Sequence, residues 1–95
     1  MSANGTLSPK FLLGRIVATP NALNQIPSDE TFNALSRHVR GDWGELDRDD
    51  LDANENSLEH GGRLVSRYIS TAGVKFWIIT EWNRQRTTIL LPEDY

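Results

Sequence analysis

The sequence predicts an α+β domain: two or three N-terminal helices packed on a C-terminal three-stranded antiparallel sheet. Two observations carry this reading. Residues 63–91 hold three segments dense in β-branched and aromatic residues, separated by the turn-forming stretches Ser70-Thr71-Ala72-Gly73 and Asn83-Arg84-Gln85. Ahead of them, apolar residues recur at spacings of three and four between proline and glycine punctuation, the period of helices. The 95 residues suffice for one domain with one core.

Taken in order, residues 1–13 read as a flexible N-terminal segment and residues 14–95 as a single α+β domain. Residues 14–20 form a short extended piece, because Ile16 and Val17 favour strands and Thr19 precedes a proline. Thr19 caps a helical turn that starts with Pro20 and runs through Ala22, Leu23 and Ile26. Ser28 caps a second helix, whose apolar stripe is Phe32, Leu35 and Val39 and which ends near Gly41. Asp42-Trp43-Gly44 is a turn that folds Trp43 back onto the core. Asp47 caps a third, largely exposed helix in which Leu51, Asn54 and Leu58 share a face, and Gly61-Gly62 stops it. The central strand, with Phe76-Trp77-Ile78-Ile79, is apolar on both faces; helices cover one of them, and the cover of the other is unassigned. The third strand, residues 86–91, is an exposed edge open to pairing with a partner or with a second copy of the chain, as a structural or scaffold protein would use it.

Composition excludes several classes. There is no cysteine, hence neither a disulfide framework nor a thiolate metal site. The N-terminus lacks the basic front and long apolar run of a signal peptide, and no apolar stretch approaches the ~20 residues of a membrane span. The chain reads as cytoplasmic and free of membrane. A net charge of −3 disfavours direct, phosphate-driven nucleic-acid binding. Of 13 acids and 10 bases, eight acids and one base fall between residues 42 and 59, leaving five acids and nine bases elsewhere. The chain is polarised, with an acidic middle and a basic sheet.

Candidate chemistry follows from that distribution. His38, at the end of the second helix, is either a general acid/base or a cation at the negative end of a helix dipole. Arg63, Arg67, Lys75, Arg84 and Arg86, with Ser66, Tyr68, Thr80, Thr87 and Thr88, make a polar sheet face. That face is either plain solvated surface or an anion-stabilising site. His38 with Arg63, Arg67 and Arg86 would then be the groups of a metal-independent ribonuclease. Asp42, Trp43, Asp47, Asp49, Asp50, Asp52 and Glu55 form the candidate binding surface, carboxylates facing a basic groove with Trp43 as an aromatic anchor. His60 and His38 match no local zinc spacing, and no glycine-rich phosphate loop or other cofactor motif is present, so neither metal nor cofactor is expected.

The segments GRIVATPNAL, RHVRGDWGELD, NENSLEHGGRLVSRY and WIITEWNRQRTTILLP resemble a family of short uncharacterised bacterial proteins carried on plasmids and integrative elements. Members are described as plasmid-related or as a restriction subunit. The resemblance spans about residues 12–95 and departs from the family pattern at Trp82, Asn83 and Arg86. It implies a mobile-element accessory protein. The order of helices before an antiparallel sheet is also similar to the barnase/RelE-type ribonuclease fold, an analogy of fold alone. Two functions stand open. The first is a non-enzymatic accessory factor, monomer or homodimer, that binds a protein or nucleoprotein complex with a basic groove, as an inhibitor of host defence (CRISPR or restriction machinery) would. The alternative is a small ribonuclease toxin.

Overall fold

A computed structural model describes residues 8–95. Its elements are β1 (Arg15–Ala18), α1 (Pro20–Gln25), α2 (Ser28–Val39), α3 (Arg48–His60), β2 (Leu64–Ile69), β3 (Lys75–Thr80), β4 (Arg86–Leu90) and a 3₁₀ turn at Pro92–Asp94. The fold is α+β, and three of its strands form the expected antiparallel meander. The sheet nevertheless has four strands in the order β1-β4-β3-β2, with β1 parallel to β4.

The added strand corrects the expected sheet. Ile16, Val17 and Ala18 stand opposite Thr87, Thr88 and Ile89, so β4 lies inside the sheet and offers no edge for a partner. A four-residue strand whose partner lies some 70 positions later carries no local pairing signal. Among the described residues nothing pairs with the outer edge of β1.

The other edge is closed by side chain and loop. Val65 presents its backbone outward from β2, and the Asn54 amide of α3 mimics a neighbouring strand there. Its Nδ2 donates to the Val65 carbonyl at 2.8 Å and its Oδ1 accepts the Val65 N–H at 3.1 Å. Two residues on, the Arg67 N–H donates to the Trp43 carbonyl and the Glu45 N–H donates to the Arg67 carbonyl. Gly44 lies between these two bonds with φ of 77°, and a Cβ built on it would stand 2.0 Å from the Arg67 carbonyl oxygen. Only glycine allows that approach.

Register sorts the strands into two faces. Leu64, Ser66 and Tyr68 of β2 align with Thr80, Ile78 and Phe76 of β3, and Ile78 and Thr80 with Ile89 and Thr87 of β4. This face packs against Ala22, Ile26, Ala34 and Leu35 of the first two helices and their connection. Val65, Arg67, Trp77, Ile79, Thr88 and Leu90 point the other way. The C-terminal turn crosses that second face, with Tyr95 edge-on to Trp77 at 5.4 Å, and α3 flanks it.

Local chemistry largely follows expectation. Thr19 accepts from the Ala22 N–H ahead of Pro20, and Asp47 accepts from the Asp50 N–H at the start of α3. The start of α2 differs: Pro27 occupies the capping position, no side chain caps it, and Ser28 is the first helical residue. The stripe of α2 differs too. Phe32 is 74% exposed, whereas Ala34, Leu35 and His38 face inward. Residues 8–13, expected to be flexible, make specific contacts. The Lys10 N–H donates to the Val39 carbonyl, and Phe11 packs on His38 and Trp43 at 5.2 and 6.0 Å. Residues 1–7 lie outside the described residues.

Gly44→Ala should lower unfolding free energy by at least ~2 kcal/mol, since a backbone oxygen must move. Gly61→Ala, also at positive φ but with open space around its Cβ, should cost only ~1 kcal/mol. Urea unfolding of the two variants checks the ordering.

Candidate functional site

His38 sits on the inward face of α2 with none of its surface exposed. Its Nδ1 lies 2.6 Å from Ser66 Oγ and its Nε2 lies 2.9 Å from Thr80 Oγ1. Thr80 in turn lies 2.7 Å from Thr87, whose hydroxyl donates to the Leu13 carbonyl at 2.7 Å. For a neutral imidazole these contacts admit one proton order. A carbonyl only accepts, so the Thr87 proton is committed to Leu13 and Thr87 must accept from Thr80. Thr80 then accepts from His38 Nε2–H, and Nδ1 accepts from Ser66. The imidazole is neutral and protonated on Nε2. Burial, reinforced by the nearby Arg84 charge, pushes its pKa down to about 3.

That geometry corrects both sequence readings of His38. It is no cation at a helix end, and it is cut off from solvent and from any substrate. The ribonuclease constellation is not assembled either. His38 bonds to Ser66 and Thr80 on the helix-covered face, whereas Arg67 and Arg86 project from the second face and Arg63 reaches the ring of Tyr95 there. The polar face expected from the strands divides the same way: Ser66, Tyr68, Thr80 and Thr87 are buried with His38.

Arg84 belongs to neither face. It holds φ of 60° and aims its guanidinium at the carbonyls of Ser57, Gly62, Glu81 and Trp82. Those acceptors tie the β3–β4 hairpin to the C-terminal end of α3, where carbonyls lack helical partners. Its role is architectural.

The candidate acidic surface also separates into working and free groups. Asp42 takes a bidentate contact from Arg37 at 2.8 and 3.2 Å, which holds its carboxyl below the usual carboxylate range. Asp47 is the α3 cap, Glu55 accepts from the Trp43 indole N–H at 3.0 Å, and Asp50 faces Arg67 at 3.6 Å. Trp43 itself is 3% exposed, so it anchors the core and not a partner. Asp49, Asp52 and Glu59 are exposed; Asp49 and Asp52 make no hydrogen bond or ion pair among the described residues, and Glu59 meets the exposed His60 imidazole at 3.6 Å. They stand three and seven positions apart on one stripe of α3, a row ~15 Å long at 1.5 Å per residue.

A cleft of about 310 Å³ lies between α3 and the second sheet face, lined by Val65, Ile79, Trp77, Arg63, Arg67 and Tyr95 among others. Arg67 stacks on Trp77 at 5.3 Å and Arg63 on Tyr95 at 5.5 Å. Arg63 and Arg67 were picked out in the sequence, but their aromatic platforms were not. Tyr95 was invisible as a site residue because only the C-terminal turn carries it there. Among the described residues no three His, Asp or Glu side chains converge as a metal site, and no helix is long and apolar enough to cross a membrane. Compared with known proteins, the chain matches no family model, no curated protein and no solved structure at a significant level.

The buried imidazole makes stability depend on pH. The unfolded chain protonates His38 near its ordinary value of 6.5, whereas the folded protein resists until about 3. Between those values the unfolded state binds the extra proton, so stability falls as pH falls, by at most ~1.4 kcal/mol per pH unit. Unfolding free energy of the wild type should therefore drop between pH 6.5 and 5, above the range where Glu30, Asp42 and Asp94 titrate. His38→Gln should be less stable at pH 7 by ~2–4 kcal/mol and should lose that slope.

Proposed function

We propose that the chain is a non-enzymatic binding protein that presents the outer stripe of α3 to a basic groove on a macromolecular partner. One observation carries the reading. Asp49, Asp52 and Glu59 stand exposed, the first two without partners among the described residues and Glu59 beside only the exposed His60, on a helix whose opposite face is fixed to β2 by Asn54. Like charges at helical spacing repel by a few tenths of a kcal/mol per pair, and among the described residues no cation pairs with Asp49 or Asp52. A lysine- or arginine-lined groove would supply one. Because Asn54 holds the helix in place, the carboxylates are pre-positioned and lose little freedom on docking.

Long-range attraction of this kind accelerates encounter and selects partners by charge pattern more than it deepens affinity. The resemblance to mobile-element proteins directs attention to nucleoprotein complexes of host defence, whose grooves hold a polyanion. The ribonuclease alternative draws no support from His38, the one titratable side chain assigned to its acid/base step.

Charge reversal at Asp49→Lys, Asp52→Lys and Glu59→Lys should abolish capture of the partner that the wild type retains from cells carrying the element. Melting temperature should stay within a few degrees, because Asp49 and Asp52 are unbonded among the described residues and Glu59 makes only an exposed contact with His60. Binding by wild type should weaken steeply with added salt. Retention of the same partner by the triple variant would contradict the proposal.

A further inference from the structure

The cleft beside α3 has a construction that the acidic stripe does not explain. Its floor is apolar, formed by Val65 and Ile79, and its far wall is the aromatic pair Trp77 and Tyr95. At the rim stand two guanidiniums, each laid against a ring of that wall. Stacking holds an arginine in place and leaves the edge of its fork free to donate. Arg63 spends one of its donors on the Tyr95 hydroxyl and has no carboxylate partner among the described residues. Arg67 has Asp50 at 3.6 Å, too far for a hydrogen bond. A neighbouring depression of about 510 Å³ shares Arg67 and Trp77 with this cleft and adds Lys75 to the rim.

We propose that this cleft is a binding site for a nucleoside monophosphate, the base lodged on the apolar floor and the phosphate held between Arg63 and Arg67. The volume is at the lower end of small-ligand sites and fits one base with its sugar at the mouth. Three acceptor oxygens with up to two negative charges match two forks with several unused N–H groups better than a single carboxylate does. A polynucleotide is disfavoured, because the Asp50 carboxylate lines the cleft and would repel a continuing backbone. The site is independent of the partner-binding stripe, since Asp49, Asp52 and Glu59 do not line it. Asp50 does line it and opposes an anion there, so a bound phosphate displaces Asp50 from Arg67.

Titration of the isotopically labelled full chain with adenosine 5′-monophosphate, adenosine and inorganic phosphate tests this. The monophosphate should produce saturable shifts centred on the Trp77 indole N–H and the Arg63 and Arg67 side chains, with adenosine and phosphate each binding roughly tenfold or more weakly. Arg63→Gln should weaken the monophosphate about tenfold, and Asp50→Asn should tighten it, an opposite sign that general loss of structure cannot produce. The site is overturned by the absence of saturable shifts at these groups. It is equally overturned by phosphate binding as tightly as the nucleotide, or by weakening in Asp50→Asn.

Discussion

A single file of buried hydrogen bonds runs from the Leu13 carbonyl through Thr87, Thr80 and His38 to Ser66, and it ties α2 to three strands of the sheet. Its members come from the segment before β1, then β4, β3, α2 and β2 in turn. Each partner accepts from one neighbour and donates to the next, so no buried side-chain nitrogen or oxygen among the described residues is left without a bond. Such a chain is stringent because a missing member strands polar groups on both sides in a low-dielectric interior. It also specifies register. A one-residue slip of β3 against β4 would turn Thr80 away from both His38 and Thr87.

The same constraint explains why the surface is divided as it is. With His38 turned inward, Phe32 rotates out of the core, and the helix-covered face of β2, β3 and β4 is closed to solvent. Chemistry that reaches solvent is left to the second face and to α3. There the fold uses Asn54, a polar side chain, as a substitute strand for β2, which fixes the helix at the sheet edge. The helix thereby offers two surfaces: an acidic outer stripe, and an inner flank that walls the cleft beneath Trp77 and Tyr95.

Much of this was legible in the sequence. The caps at Thr19 and Asp47, the stop at Gly61, the three antiparallel strands and the core role of Trp43 follow from residue type and local spacing. What was not legible depends on contacts distant in sequence. β1 looked extended but its parallel partner lies beyond any periodic signal. His38 looked like a helix-end histidine because nothing local says which way a side chain on that turn points. A signal did exist in the strands: Ser66 lies between inward-facing Leu64 and Tyr68, and Thr80 follows Phe76 and Ile78 on one face, so polar residues occupy buried positions in register. Buried hydroxyls on adjacent strands call for a polar partner from the covering helix, and His38 is the inward group of α2 that can serve two of them. The candidate acids were found as a cluster, but only the fold separates Asp49 and Asp52 from Asp42, Asp47, Asp50 and Glu55, which work within the structure.

The proton order of the buried file is the claim on which the remainder rests, and it is directly observable. Long-range nitrogen–proton correlation of the imidazole at pH 5 reports which ring nitrogen carries hydrogen. The account predicts a neutral ring with the proton on Nε2 and a bare Nδ1 accepting from Ser66. A protonated imidazolium at that pH, or a neutral ring with hydrogen on Nδ1, would contradict it.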